Sequence, residues 1–225
     1  MRILALDTAT AATAAAFLDT DTGLVFEARD DPPAGSRPSH ASAVLGLVDD
    51  VLRRSGGGWS DVDRIAVGLG PGTFTGLRIG VATAQGLARA GDKPLVGVST
   101  LRSLALGASQ KAGASQTVMA IIDARRGEAF AASAQLAPSV LTPEALAAEV
   151  ARHTAVAGSP LAVGDGAIKF RAILESAGAT VPGDGSDLHR VSALWHCHLA
   201  ETAESLPLSA VQPEYLRVPD AELNR

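Results

Sequence analysis

Apolar and polar positions along this chain follow two alternating patterns, and their order lays out the elements. Residues 3–6 are a short apolar run stopped by Asp7 and Thr8, which predicts a strand. Residues 11–18 and 24–28 repeat the pattern on either side of DTDTG, a turn of hairpin composition, so three strands leaning antiparallel open the chain. DDPPAGSRPS is a loop by its prolines and glycine, after which Ala43, Leu45, Val48, Val51 and Leu52 recur at helical spacing until SGGG ends them. RIAVGL is an apolar run of the kind buried on both faces. A glycine-rich turn, a long helix over 75–90 and the strand PLVGV complete a β-β-β-α-β-α-β order.

From residue 100 the pattern resumes in weaker form, with a helix over 101–108, a strand over 118–122 and the turn DARRG leading to a strand over 128–134. Thr142, Pro143 and Glu144 suit the cap, the first position and the positive end of a helix. LAVG reads as a strand, DGAIKFRAILESAG as a helix ended by Gly178, and residues 191–204 as another helix. The tail LPLSAVQPEYLRVPDAELNR is broken by three prolines and is expected to run over the surface. Two stretches of similar grammar predict two lobes, over 1–100 and 101–225, the second smaller, with the final segment packing back on the first.

Composition narrows the function classes. A chain of 225 residues can bury a core as one large domain or two small ones. Its 19 Lys and Arg against 24 Asp and Glu, a net charge of -5, exclude a strongly basic nucleic-acid surface or a polybasic membrane anchor. Any RNA contact has to be local or shared with a partner. The single cysteine, Cys197, forms no intrachain disulfide and no zinc cluster, which fits a reducing cytoplasm. No run reaches the ~20 apolar residues a membrane span needs, and Asp7 interrupts the apolar start before it resembles a signal peptide. A soluble protein is expected.

The candidate chemistry sits in GLGPGTFTGLRIGVATAQGLARA, residues 68–90. The first N–H groups of a helix lack intrahelical partners and attract anions. Gly70, Gly72 and Gly76 permit tight backbone there, and Thr73 can cap the helix. Asp7, at a strand end facing such a loop, can hold magnesium through water; the alternative is an aspartate bonding backbone in its own turn. In the second lobe VGDGA offers Gly164 and Gly166 as an adenosine clamp, yet Asp165 between them would repel phosphate. An equal alternative is that these glycines simply turn a strand into a helix. The expectation is weak or vestigial nucleotide binding at Asp7, Thr8, Gly70, Gly72, Thr73, Gly164 and Gly166, without turnover. Neither a Walker motif nor a GxSxG elbow is present.

Gly76, Gly80, Ala84 and Ala88 fall four apart, a stripe of small residues that lets another helix approach closely. A partner interface and packing inside one lobe are both open at this point. The five histidines stand at 40, 153, 189, 196 and 198. His196 and His198 are two apart, about 200° around a helix, so they are expected on the helix surface beside a buried Trp195 or Cys197; only in a strand would they share a face and a metal. His40 is expected to help the chain turn into a helix, and His153 and His189 stand in loop-like contexts. No metal site is assigned.

LALDTAT at the start, GPGTFTGLRIGVATAQGLA with PLVGVSTL in the middle, IDARRGEAF later and PEYLR near the end resemble the bacterial YeaZ family. These are the tRNA threonylcarbamoyladenosine biosynthesis proteins of TsaB type. They belong to the actin/Hsp70/sugar-kinase superfamily and are related to the TsaD, glycoprotease-like family. The resemblance implies an α/β, two-lobed actin-like ATPase (RNase H-like) fold, each lobe a mixed β-sheet flanked by helices. It implies a non-catalytic subunit of the machinery for N6-threonylcarbamoyladenosine at position 37 of tRNA (t6A37). Such a subunit dimerises with TsaD and works with TsaE; a homodimer is the other association it implies. Contact with tRNA comes only through the complex, and no cofactor is required by the chain beyond weak ATP or ADP binding. The catalytic relatives carry two metal-binding histidines four apart after the strand that follows the long helix. The matching stretch PLVGVSTLRSLA places Thr100 and Leu104 there, and Leu104 cannot bind a metal. A small-molecule phosphotransferase, needing Asp7, the loop and the clamp together, and an M22-type metallopeptidase are the rival classes.

Overall fold

Strand alternation decides where the first apolar run sends its side chains. In the computed structural model, which describes residues 1–33, 36–113 and 116–217, β1 (Arg2–Asp7) is the centre of a five-stranded sheet. β2 (Thr13–Asp19) and β3 (Leu24–Asp30) extend it antiparallel on one side; β4 (Arg64–Gly70) and β5 (Leu95–Ser99) extend it parallel on the other. Leu4 and Leu6 face one layer, where α1 (His40–Arg54) and α2 (Phe74–Gly91) bring Val44, Val48, Val51, Val81, Ala84 and Ala88. Ile3 and Ala5 face the other, where α7 (Ala193–Ala200) brings Ala193, Cys197 and Ala200. A strand covered on both faces has no polar side to show, which is why it reads as an unbroken apolar run.

The chain divides into two units, each with its own sheet. The first is Met1–Ser103 with Val191–Glu214; the second is Leu104–Arg190 with the stretch from Tyr215. A second lobe running from 101 to the end is therefore corrected: residues 191–214, including α7, belong to the first unit. Of the two expectations for the tail, the one of a course over the surface is corrected. Val211 is fully buried, Gln85 donates to the carbonyls of Leu208 and Val211 at 2.8 Å, and Leu206 bridges to Leu95. Prolines keep the tail to short pieces such as the 3₁₀ turn Leu208–Ala210, but they do not prevent burial. The part of the tail from residue 218 lies outside the described residues.

α3 (Thr100–Ala112) carries the chain into the second unit, where β6 (Val118–Arg125) and β7 (Glu128–Ala132) form a hairpin. β8 (Ser139–Leu141) and β9 (Leu161–Val163) complete the sheet in the order β8-β7-β6-β9. β8, three residues long, is too short to show an alternation and was not expected. α4 (Pro143–Ala157) starts as its sequence predicts, with Thr142 accepting the Ala145 N–H at 3.3 Å and proline in the first turn. The single helix expected over 165–178 is two, α5 (Asp165–Lys169) and α6 (Arg171–Ser176), because Phe170 leaves helical geometry to bury its ring in the core with Leu146 and Leu174. The β6–β7 turn passes through left-handed backbone at Arg125 and Arg126, φ 64° and 53°, a conformation costing about 1–2 kcal/mol per non-glycine residue. Among the described residues no helix is long and apolar enough to cross a membrane.

Candidate functional site

By alternation Asp7 lies on the same face of β1 as Ile3 and Ala5, under α7. Its carboxylate is 1% exposed, and the side chains that meet it are sealed as well. The Thr100 hydroxyl donates to Oδ2 at 2.8 Å, the Ala9 N–H donates to Oδ1 at 2.8 Å, and His196 Nε2 is 3.0 Å from Oδ2. Beyond the ring, His196 Nδ1 is 2.8 Å from the Ser103 hydroxyl and 3.2 Å from the Ser192 carbonyl. With Nε2–H donating to Asp7, the other ring nitrogen, Nδ1, accepts from the Ser103 hydroxyl. Burial pushes the Asp7 carboxyl up, but His196, the Ala9 N–H and the Thr100 hydroxyl outweigh it and hold the group below the usual carboxylate range.

Gly68 on β4 makes this packing possible. A Cβ there would stand 1.8 Å from Asp7 Oδ2 and 3.0 Å from His196 Nε2. Aspartate, histidine and serine are aligned in the order of a hydrolase triad, yet Asp7, His196, Thr100 and Ser103 are all buried, so Ser103 has no approach for a substrate. The arrangement holds a charge; it does not present one.

The glycine-rich loop is closed by the chain itself. Thr73 is the N-cap residue of α2, but its side chain makes no capping bond; its N–H donates instead to the Ala9 carbonyl at 2.8 Å. A Cβ on Gly72 would meet the Ala9 carbonyl oxygen at 2.3 Å and one on Gly76 the Thr8 carbonyl oxygen at 2.1 Å. Gly70 holds φ 108° and is covered by Leu77 and the Glu214 carbonyl. The buried Thr8 hydroxyl donates to the Gly76 carbonyl at 2.7 Å. Asp7, Thr8, Gly70, Gly72 and Thr73 are thus brought together, as a packed junction of β1, β4 and α2.

The stripe of small residues is corrected by the same geometry. Gly76, Gly80, Ala84 and Ala88 are buried within the first unit, and a Cβ on Gly80 would meet Thr8 Oγ1 at 2.3 Å. They let α2 lie against β1 and α1, so they are not a surface for a partner. Gly164 and Gly166 serve their own unit in the same way: their missing Cβ atoms would stand 2.0 Å from the Ile121 carbonyl oxygen and 2.8 Å from the Ile122 backbone. Asp165 accepts the Asp123 N–H at 3.0 Å; burial, with the Asp123 charge adding to it, raises its carboxyl above the usual range.

The histidines depart furthest from expectation. His196 is not on the helix surface but fully buried on Asp7, while His198, on another face of α7, pairs with Glu201 at 2.6 Å and stacks on Trp195. Ala193, His196, Cys197 and Ala200 fall at i, i+3, i+4 and i+7, the spacing of a buried stripe, and that signal could have placed His196 inward. His40 opens α1 and is buried, with Nδ1 2.9 Å from Thr13 Oγ1; burial lowers its pKa against the opposing charges of Asp7 and Asp30. His153 and His189 are buried, on α4 and beside the Gly164 backbone, not in open loops. Burial also raises the Cys197 thiol far above its usual range, leaving it unreactive. Thr100 is committed to Asp7 and Leu104 is core; among the described residues no three His, Cys, Asp or Glu side chains converge as metal ligands.

Comparison with known proteins agrees with the sequence resemblance. Residues 32–172 match the family model described as TsaD: tRNA N6-adenosine threonylcarbamoyltransferase. The chain is 44% identical over 136 residues to the tRNA threonylcarbamoyladenosine biosynthesis protein TsaB of Escherichia coli, covering 60% of this chain and 55% of that protein. It is 36% identical over 130 residues to the protein of the same name from Haemophilus influenzae, covering 58% and 52%. The matches span about half the length of these curated relatives. The solved structure of YeaZ from Pseudomonas aeruginosa superposes with a TM-score of 0.76 at 28% identity, covering 96% of this chain and 99% of that one. The fold is the two-lobed, actin-like α/β arrangement, two mixed sheets flanked by helices.

Proposed function

The chain belongs to the TsaD, tRNA N6-adenosine threonylcarbamoyltransferase family, and from that premise we propose that it is a non-catalytic subunit of the t6A37 machinery. It pairs with a TsaD-type catalytic subunit, supports it together with TsaE, and works in the cytoplasm without a cofactor of its own. The observation that carries this is the commitment of Asp7. The one carboxylate placed at the end of β1 to face a phosphate or magnesium ion is instead fully engaged by His196, Thr100 and Ala9. The similarity to proteins named for threonylcarbamoyladenosine biosynthesis supports placing it in that pathway.

The small-residue stripe being internal, the surface for the catalytic subunit moves to the outer side of the same layer. Leu45 on α1 and Phe74, Ala82 and Gly86 on α2 are exposed there, and the two helices are neighbours. Reconstitution tests the proposal. An A37-containing tRNA transcript is incubated with TsaD, TsaE, ATP and preformed threonylcarbamoyl adenylate as the donor, with and without this chain, and its nucleosides are read by mass spectrometry. Modification should require the chain, and the pair Leu45→Glu with Ala82→Arg should abolish both modification and co-elution with TsaD while leaving the melting temperature unchanged. Full modification without the chain, or ATP turnover by the chain alone, would overturn the proposal.

A further inference from the structure

His40 is the first residue of α1, and it is 4% exposed. Its Nδ1 lies 2.9 Å from Thr13 Oγ1 on β2, while its Nε2 is fully buried without a hydrogen-bond partner. A hydroxyl can donate or accept, so Thr13 serves Nδ1 in either neutral tautomer and Nε2 is left bare in both. A neutral nitrogen left bare in the interior is a modest cost. A charged N–H in the same place, with no acceptor within reach, is a far larger one.

The groups around the ring decide whether the charge is answered. His40 stands at the start of α1, and its Nε2 approaches the first turn of α2, where a Cβ on Gly76 would be 3.3 Å from it. Each of these helices presents the positive end of its dipole to the ring. From β2 comes only the Thr13 hydroxyl, and the first turn of α2 has no acidic residue. The opposing groups are the carboxylates of Asp7 on β1 and Asp30 on β3, with the backbone of Thr10. Both carboxylates are engaged elsewhere, Asp7 by His196, Thr100 and Ala9 and Asp30 by the Ser39 hydroxyl. Burial outweighs them and holds the imidazole below its usual value.

We propose that His40 is an acid-sensitive latch, which as a neutral imidazole seats the first turn of α1 on the sheet and on protonation releases it. α1 carries the exposed Leu45, so the latch regulates the face proposed for the catalytic subunit, and in that respect the inference rests on that reading. The direction follows from the lowered folded value. Above the ordinary value of 6.5 the ring is neutral whether seated or free, and the latch holds in full. Below it the free ring takes a proton that the seated ring refuses, so the seating weakens as pH falls toward the folded value.

Amide hydrogen exchange of the full-length chain, corrected for the intrinsic rate and compared at about pH 5.5 and about pH 7.5, tests the latch. Protection of the first two turns of α1 should fall in acid by up to about tenfold per pH unit, the limit for one proton. β1, α7 and the second unit should keep theirs. His40→Gln and His40→Leu do not titrate, so in both the acid step in α1 should vanish, whatever either does to overall stability. Wild-type protection of α1 that is indifferent to pH overturns the proposal, and that measurement stands even where a variant fails to fold. So does a loss shared equally by α7, or one that persists in both variants. Co-elution with TsaD at the same two pH values separates the latch from the reading it rests on. The wild type should lose TsaD in acid and the variants should keep it. Undiminished association of the wild type in acid overturns the regulatory role; no association at either pH counts against the subunit role alone, and exchange in α1 still decides the latch.

Discussion

Asp7 Oδ2 lies 3.0 Å from His196 Nε2, 189 residues further along the chain, and neither side chain reaches solvent. The contact ties the last helix of the first unit to its first strand. Removing a hydrogen-bond partner from a buried carboxylate leaves the acceptor unsatisfied and costs about 1–3 kcal/mol. His196→Ala should therefore lower the stability measured by urea unfolding by that amount. In a cycle with Asp7→Asn the two substitutions should be non-additive by about 1–3 kcal/mol; additive losses would show that the pair is not coupled.

Acid should weaken the molecule through Asp7 in a definite direction. Its folded-state carboxyl titrates below its unfolded value of about 4. The stabilisation is therefore complete above that unfolded value and is lost as pH falls through the lower folded one. The urea midpoint should drop on acidification below about pH 4, and Asp7→Asn should flatten that limb of the profile.

Asp165 should behave with the opposite sign, because burial raises its carboxyl in the folded state. Its ionisation burdens the fold above the raised value and not below the unfolded one. Asp165→Asn keeps an oxygen for the Asp123 N–H, so it should raise the thermal midpoint at neutral pH, with the gain vanishing in acid. An equal gain at all pH values would point to a cause other than titration.

Two glycines of α2 should respond oppositely to alanine. At Gly80 the new methyl would stand 2.3 Å from Thr8 Oγ1, and overpacking of this kind costs about 1–3 kcal/mol. At Gly86 it meets nothing within 4 Å, so higher helix propensity should raise stability by up to about 1 kcal/mol. Thermal melts of the two variants check both signs.

Much of the fold was legible in the sequence because its signals are local. Apolar runs flanked by Asp, Gly and Pro mark β1, β4 and β5, helical spacing marks α1 and α2, and the Thr142–Pro143 pair marks the start of α4. These depend on neighbours a few residues apart, and the chain supplies them wherever it folds. The family motifs were equally visible, since they are spelled out in consecutive residues.

Which way a side chain faces, and what it meets, was decided only by the tertiary structure. The stripe Gly76, Gly80, Ala84 and Ala88 has the spacing of an interface, and the same spacing serves a helix lying on its own strand; the position of Thr8 decides between them. Asp7 was legible as a strand-end carboxylate, but its partners come from the turn after β1, α3 and α7, and Gly68 on β4 matters only because those segments converge beside it. Burial and charge pairing depend on distance in space, and a linear pattern records distance along the chain. The sequence by itself determined most of the elements and the family; the return of residues 191–214 onto the first sheet turned a candidate ion-binding aspartate into half of a buried pair.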